Sequence, residues 1–137
     1  MKRLLAPALG LLLLLLLGLF FSLQGSEVAR VDAREAARLV EGGALLIDVR
    51  EPAEWMETGV AAPALLLPLS DFEGGRDGWK PFLAGPAKDK TLVLYCRSGN
   101  RSGRVAAALA KEGYQVVNGG AFKDWEAAGL PVRKLQP

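Results

Sequence analysis

The sequence has 137 residues, with 17 lysines and arginines against 15 aspartates and glutamates, one cysteine and no histidine. Without histidine there can be no Ser-His-Asp triad, no Cys-His dyad and no histidine-containing metal site, and a single cysteine excludes an internal disulfide. The fold must rest on its apolar core, and no metal or other cofactor is expected.

The net charge of +2 sits at the amino end, in Lys2 and Arg3, and residues 26–137 are formally neutral. A neutral domain offers no basic face to nucleic acid, so no such partner is expected. Leu4 to Leu23 carries no charged residue and contains the unbroken run Leu11 to Leu17. Crossing a bilayer takes about 20 apolar residues, and a basic start before an apolar stretch also opens a secretory signal. The exit, Phe20 to Ser26, shows no good small-x-small cleavage triplet, which favours an uncleaved anchor. Residues 1–25 are therefore expected to be a signal peptide or transmembrane anchor. Lys2 and Arg3 stay on the cytoplasmic side, which places residues 26–137 outside the cytoplasm, in a periplasm or at the cell surface, membrane-anchored or secreted.

From Val28 onward, strand and helix patterns alternate. Val28 to Val31 predicts a short strand. Asp32 and Glu35 have capping-box spacing ahead of a helix with Ala36, Ala37, Leu39 and Val40 on one face, stopped by Gly42-Gly43. Ala44 to Val49 predicts a strand buried on both faces, and Pro52 opens a short helix through Glu57. Ala64 to Leu67 predicts another strand. Residues 70–90, rich in Gly, Pro and charge, predict a loop with one helical turn at Pro81 to Leu83. Thr91 to Tyr95 predicts a buried strand delivering Cys96, Arg97 to Arg101 a loop, and Ser102 to Glu112 a helix capped by Gly113. A last strand over Tyr114 to Val117, a turn at Gly119-Gly120 and a helix over Ala121 to Ala128 complete the pattern. Alternation of this kind predicts an α/β fold with a parallel sheet covered by helices. Its functional crevice lies at the carboxyl ends of the strands, where Cys96 falls.

The segment Cys96-Arg97-Ser98-Gly99-Asn100-Arg101-Ser102 therefore joins a strand end to a helix start. Backbone N–H groups in such a turn face inward and make a nest for an anion, and the helix adds about half a positive charge at its N-terminus. Arg97, Arg101 and Arg104 add side-chain charge. A thiol so placed ionises readily, which makes a nucleophile without histidine. Arg101 reads as an anion ligand or a loop brace, whereas Arg97 and Arg104 divide evenly between substrate contact and solvated charge. Asp48 and Arg50, at another strand end near the crevice, read as a supporting ion pair. Trp55 and Trp125 read as core, and Trp79 as a lid or packing.

At these residues the chain resembles the rhodanese family of sulfurtransferases. Leu46-Ile47-Asp48-Val49-Arg50-Glu51-Pro52-Ala53-Glu54-Trp55 is similar to the family's first signature, and Gly119 to Val132 to its C-terminal one. The resemblance implies a five-stranded parallel sheet flanked by helices, with Cys96 as persulfide carrier. It also implies a small sulfur-containing anion such as thiosulfate as donor, and a thiol, cyanide or protein as acceptor. One stretch departs from the pattern: Gly59-Val60-Ala61-Ala62-Pro63-Ala64 stands where the family usually has Gly-His-Ile-Pro-Gly-Ala. Two other functions remain open. A non-turnover sulfur carrier or protein-binding module would keep the cysteine but not the cycle. An arginine-assisted phosphatase would use Cys-x5-Arg, whereas Arg101 here gives Cys-x4-Arg.

Overall fold

The computed structural model describes residues 27–137. The expected anchor over residues 1–25 lies outside the described residues, among which no helix is long and apolar enough to cross a membrane.

The first helix, α1 (Ala33–Glu41), starts where its cap predicts: the Asp32 carboxylate accepts from the Glu35 N–H at 2.8 Å. A cap of this kind stabilises a helix by about 1 kcal/mol. The Glu35 side chain pairs with Arg38 at 2.7 Å. Strand β1 (Leu45–Asp48) follows, then α2 (Pro52–Thr58) and the short strands β2 (Val60–Ala61) and β3 (Leu65–Leu66). Next come α3 (Leu69–Glu73), α4 (Trp79–Ala84), β4 (Leu92–Cys96), α5 (Asn100–Lys111), β5 (Val116–Ala121), α6 (Phe122–Ala127) and β6 (Val132–Arg133).

Four strands make the parallel sheet, in the order β3-β1-β4-β5. This corrects the five strands that the family resemblance implies. The expected strand at Val28 to Val31 is reduced to a single parallel bridge of Arg30 with Asn118 at the β5 edge. Two backbone hydrogen bonds hold it there, from Val31 N–H to the Asn118 carbonyl and from Asn118 N–H to the Ala29 carbonyl. A second correction concerns Gly119-Gly120, expected as a turn. Both glycines lie inside β5, where the register slips: Leu94 pairs with Asn118 but Tyr95 with Gly120. Gly119 is the extra residue of this bulge, and a Cβ there would come within 2.9 Å of Val93 Cγ1.

Residues 70–90 differ from expectation in part: the helical turn expected at Pro81 to Leu83 lies within α4, which is longer, and α3 precedes it. The Asp71 carboxylate organises this segment by accepting from the N–H groups of Asp77, Gly78 and Trp79. The departing stretch Gly59 to Ala64 contains β2, which pairs antiparallel with β6.

The sheet separates two cores, and residues alternate between them along each strand. Leu92, Leu94 and Cys96 face a core with Val105 and Leu109 of α5 and Phe72, Trp79 and Phe82 of α3 and α4. Val93 and Tyr95 face the other, with Ala36 of α1 and Phe122 and Trp125 of α6. Trp79 is packing and not a lid: it is fully buried between Phe72 and Phe82, and its indole N–H donates to the Pro68 carbonyl at 3.0 Å.

Candidate active site

Cys96 is the last residue of β4, and α5 begins at Asn100, two residues earlier than the sequence pattern predicts. Only Arg97, Ser98 and Gly99 make the turn, and Arg101 and Ser102 belong to the first turn of α5. So tight a turn needs a left-handed residue. Gly99 supplies it at φ +93°, and a Cβ there would collide with the Arg30 guanidinium lying against it.

The Cys96 side chain is fully buried on the α5 side of the sheet. Its Sγ accepts from the Gly99 N–H at 3.1 Å and lies 3.4 Å from Ser102 Oγ. Burial pushes the thiol up. The Ser102 hydroxyl and the N–H groups of Ser102, Ser98 and Gly99 outweigh that and hold it below its ordinary value. The nest expected from the loop therefore exists, but it is built from backbone and hydroxyl donors more than from arginine. Arg97 is exposed, and Arg104, on the outer face of α5, stands 3.5 Å from Glu73 with both side chains more than half exposed.

Arg101 resolves as a brace. Its two terminal nitrogens each donate to one oxygen of the Glu54 carboxylate, both at 2.7 Å, in the fork geometry that guanidinium and carboxylate share. The Arg101 hydrogen bonds hold the Glu54 carboxyl down to about 2. Glu54 also turns back to accept the Glu51 N–H at 2.9 Å, fixing the start of α2. The brace thus ties α5 to α2 across the mouth of the site. Asn100 is exposed at the helix start, where its N–H donates to Ser98 Oγ at 3.4 Å.

Asp48 and Arg50 form the expected structural pair, at 2.8 Å and nearly fully buried. Arg50 also donates to Thr58 Oγ1 and to the Gly59 carbonyl, and its guanidinium lies 4.3 Å from the centre of the Phe122 ring. Burial opposes its charge, but hydrogen bonds and the field of Asp48 prevail, so its pKa is raised. Beside the turn, Arg50, Glu54, Thr58, Arg97, Phe122 and Lys123 line a cavity of about 320 Å³.

Two residues of this arrangement escape sequence reasoning: Glu54, hidden in a helix that reads as scaffold, and Asn118. Asn118 is a nearly buried amide between Ser102 and Gly99. The signal that could have found it is a lone polar side chain in an apolar strand, because buried polar groups need partners.

The chain is 37% identical over 95 residues to an uncharacterised protein of Synechocystis sp., covering 67% of this chain and 48% of that one, so it spans about half of that relative's length. It is 37% identical over 91 residues to a sulfurtransferase of Allochromatium vinosum, covering 64% and 77%. In structure it resembles a rhodanese-related protein of Thermoplasma volcanium, with a TM-score of 0.64 and 27% identity over 77% of this chain and 97% of that one. Residues 32–128, which hold the buried cysteine, its donor nest and the brace, match the Rhodanese-like domain, and the chain belongs to that family.

Proposed function

We propose that the protein is a sulfurtransferase that carries sulfane sulfur as a persulfide on Cys96. The observation that carries this reading is the donor nest around Cys96 Sγ, which favours the thiolate at a strand end without a histidine. The thiolate attacks the outer sulfur of a thiosulfate-like donor. A bond forms between Sγ and that sulfur while the donor's S–S bond breaks, and sulfite leaves with the electron pair. A thiol, cyanide or protein acceptor then attacks the outer sulfur, and Cys96 departs as thiolate. Phosphate chemistry is disfavoured because Arg101, which would have to hold the phosphate, is committed to Glu54. A carrier without turnover differs only in the second half of the cycle.

Mass spectrometry after thiosulfate treatment tests the first half: Cys96 should gain the mass of one sulfur atom, and Cys96→Ala should gain none. Full thiosulfate:cyanide activity in Cys96→Ala would overturn the reading. We further propose, from Lys2, Arg3 and the uncharged run Leu4 to Leu23, that the domain works outside the cytoplasm at a membrane.

A further inference from the structure

Asn118 sits on β5 against the turn that follows Cys96, and its amide makes three hydrogen bonds there. Nδ2 donates to the Gly99 carbonyl at 2.9 Å, while Oδ1 accepts from the Gly120 N–H at 3.0 Å and from the Ser102 hydroxyl at 2.8 Å. The orientation of this amide is fixed by the backbone, since a carbonyl can only accept and an N–H can only donate. Gly99 therefore faces Nδ2, and Gly120 faces Oδ1.

That settles where the Ser102 proton lies. Oδ1 has no hydrogen to give, so the hydrogen between these two oxygens is the serine's, and Ser102 has only one. Cys96 Sγ, 3.4 Å from the same Oγ, then faces a lone pair. With Cys96 as a thiol, its S–H donates to Oγ and every group is satisfied. With Cys96 as a thiolate, two electron-rich atoms would face each other. The hydroxyl must rotate to give its hydrogen to sulfur, leaving Oδ1 with Gly120 alone. The Gly99 N–H points at Sγ and needs no rearrangement to serve the thiolate.

We propose that Asn118 is a positioning residue for the nucleophile, holding the Ser102 proton while Cys96 is a thiol and yielding it when the sulfur is charged. This rests on reading Cys96 as the nucleophile. In the transfer cycle, charge leaves Sγ for the outer sulfur when the persulfide forms and returns when the acceptor takes it. The hydroxyl swings with that charge.

The test is the pH dependence of Cys96 alkylation by iodoacetamide, measured on the full chain for the parent, Ser102→Ala, Asn118→Ala and the double variant. The charged groups around the trio are Arg97, the Arg101–Glu54 pair, Arg104 with Glu73, Arg30 against Gly99 and Gly120, and the Asp48–Arg50 pair. Asp32 and Asp124 line the cleft beyond Gly120. All are common to the four proteins, so differences among the profiles report the trio. Loss of Asn118 has two effects: it frees the Ser102 proton for the thiolate, and it unpins Gly99. Only the first needs Ser102.

Asn118→Ala should therefore slow alkylation more, or speed it less, in the Ser102→Ala background, by at least threefold in rate below the midpoint. Equal effects in both backgrounds would overturn the proposal. A purely structural Asn118 would lower the melting temperature without this coupling. If Asn118→Ala does not fold, Asn118→Asp replaces it: its carboxylate holds the serine proton more tightly, so it should slow alkylation more with Ser102 present than without. Alkylation involves no sulfur donor. A failed persulfide test with this coupling intact would count against the sulfurtransferase reading alone.

Discussion

At the scale of single residues, the Arg101–Glu54 brace makes predictions that an anion-binding arginine would not. If Arg101 held the donor directly, Glu54 would be dispensable. As a brace, the pair acts as a unit, and losing either end shifts the turn. Because misplacement by about 1 Å can cost ~100-fold in rate, Arg101→Ala and Glu54→Gln should slow persulfide formation by similar factors, each on the order of tenfold. Arg104→Ala, on the outer face of α5, should stay within about twofold of the parent. Single-turnover rates with thiosulfate measure all three. The same pair fixes a sign with pH. The Glu54 carboxyl is depressed to about 2 in the folded protein, below the roughly 4.3 of an unfolded chain. Its stabilisation is thus complete above the unfolded value and is lost as pH falls toward the folded one. The melting temperature of the parent should drop more than that of Glu54→Gln between neutral pH and about pH 3. Equal drops would mean the pair does not stabilise the fold. Cys96 was legible in the sequence because its strand-turn-helix setting is local, whereas the role of Arg101 stayed between two alternatives because its partner is far along the chain. Glu54 and Asn118 were not legible, because each meets its partner only after distant segments fold together.

At the scale of elements, the junction between β4 and α5 shows how local signals mislead about boundaries. Asn100 and Arg101 read as loop because they are polar, yet with Ser102 they form the first helical turn, with Gly99 as a left-handed cap. In residues 70–90 the helical turn at Pro81 to Leu83 was legible but α3 and the full α4 were not: the glycines and prolines signal turns, while the start of α4 is held by Asp71 from a distance. The strands fared better, since Leu92 to Tyr95 and Leu45 to Ile47 are apolar runs that only a doubly covered sheet can hide. The junction predicts the outcome of inserting one glycine between Asn100 and Arg101. One residue turns the following helix by about 100°, which takes Arg101 off Glu54 and Ser102 off Asn118. Sulfur transfer should fall on the order of 100-fold. Alkylation of Cys96 near neutral pH should remain measurable, because the Gly99 N–H lies before the insertion. Unchanged sulfur transfer would show that neither the brace nor the serine matters to the chemistry.

At the scale of the molecule, parallel strand order brings the parts of the site together. β1 ends in Asp48 and β4 in Cys96, side by side, so the buried ion pair and the nucleophile share the carboxyl end of the sheet. β5 then carries Asn118 to the turn from the other side. A parallel sheet covered by helices was implied by the family resemblance and the alternation of elements, but neither its strand order nor the bulge that aims Asn118 was, because Gly119-Gly120 looks like any turn. The sheet core and the amino-terminal segment answer to different physics. Most of the domain's large apolar residues fill its own two cores, whereas Leu4 to Leu23 offers about 20 uncharged positions. If that segment is an anchor, attachment is hydrophobic, and salt screens only charges. Full-length protein should stay with membranes through a high-salt wash and come off in detergent. Protease added from outside the cytoplasm should reach the domain. Release by salt would mean a peripheral, charge-held association, and a soluble mature protein starting near Gly25 or Ser26 would mean a cleaved signal.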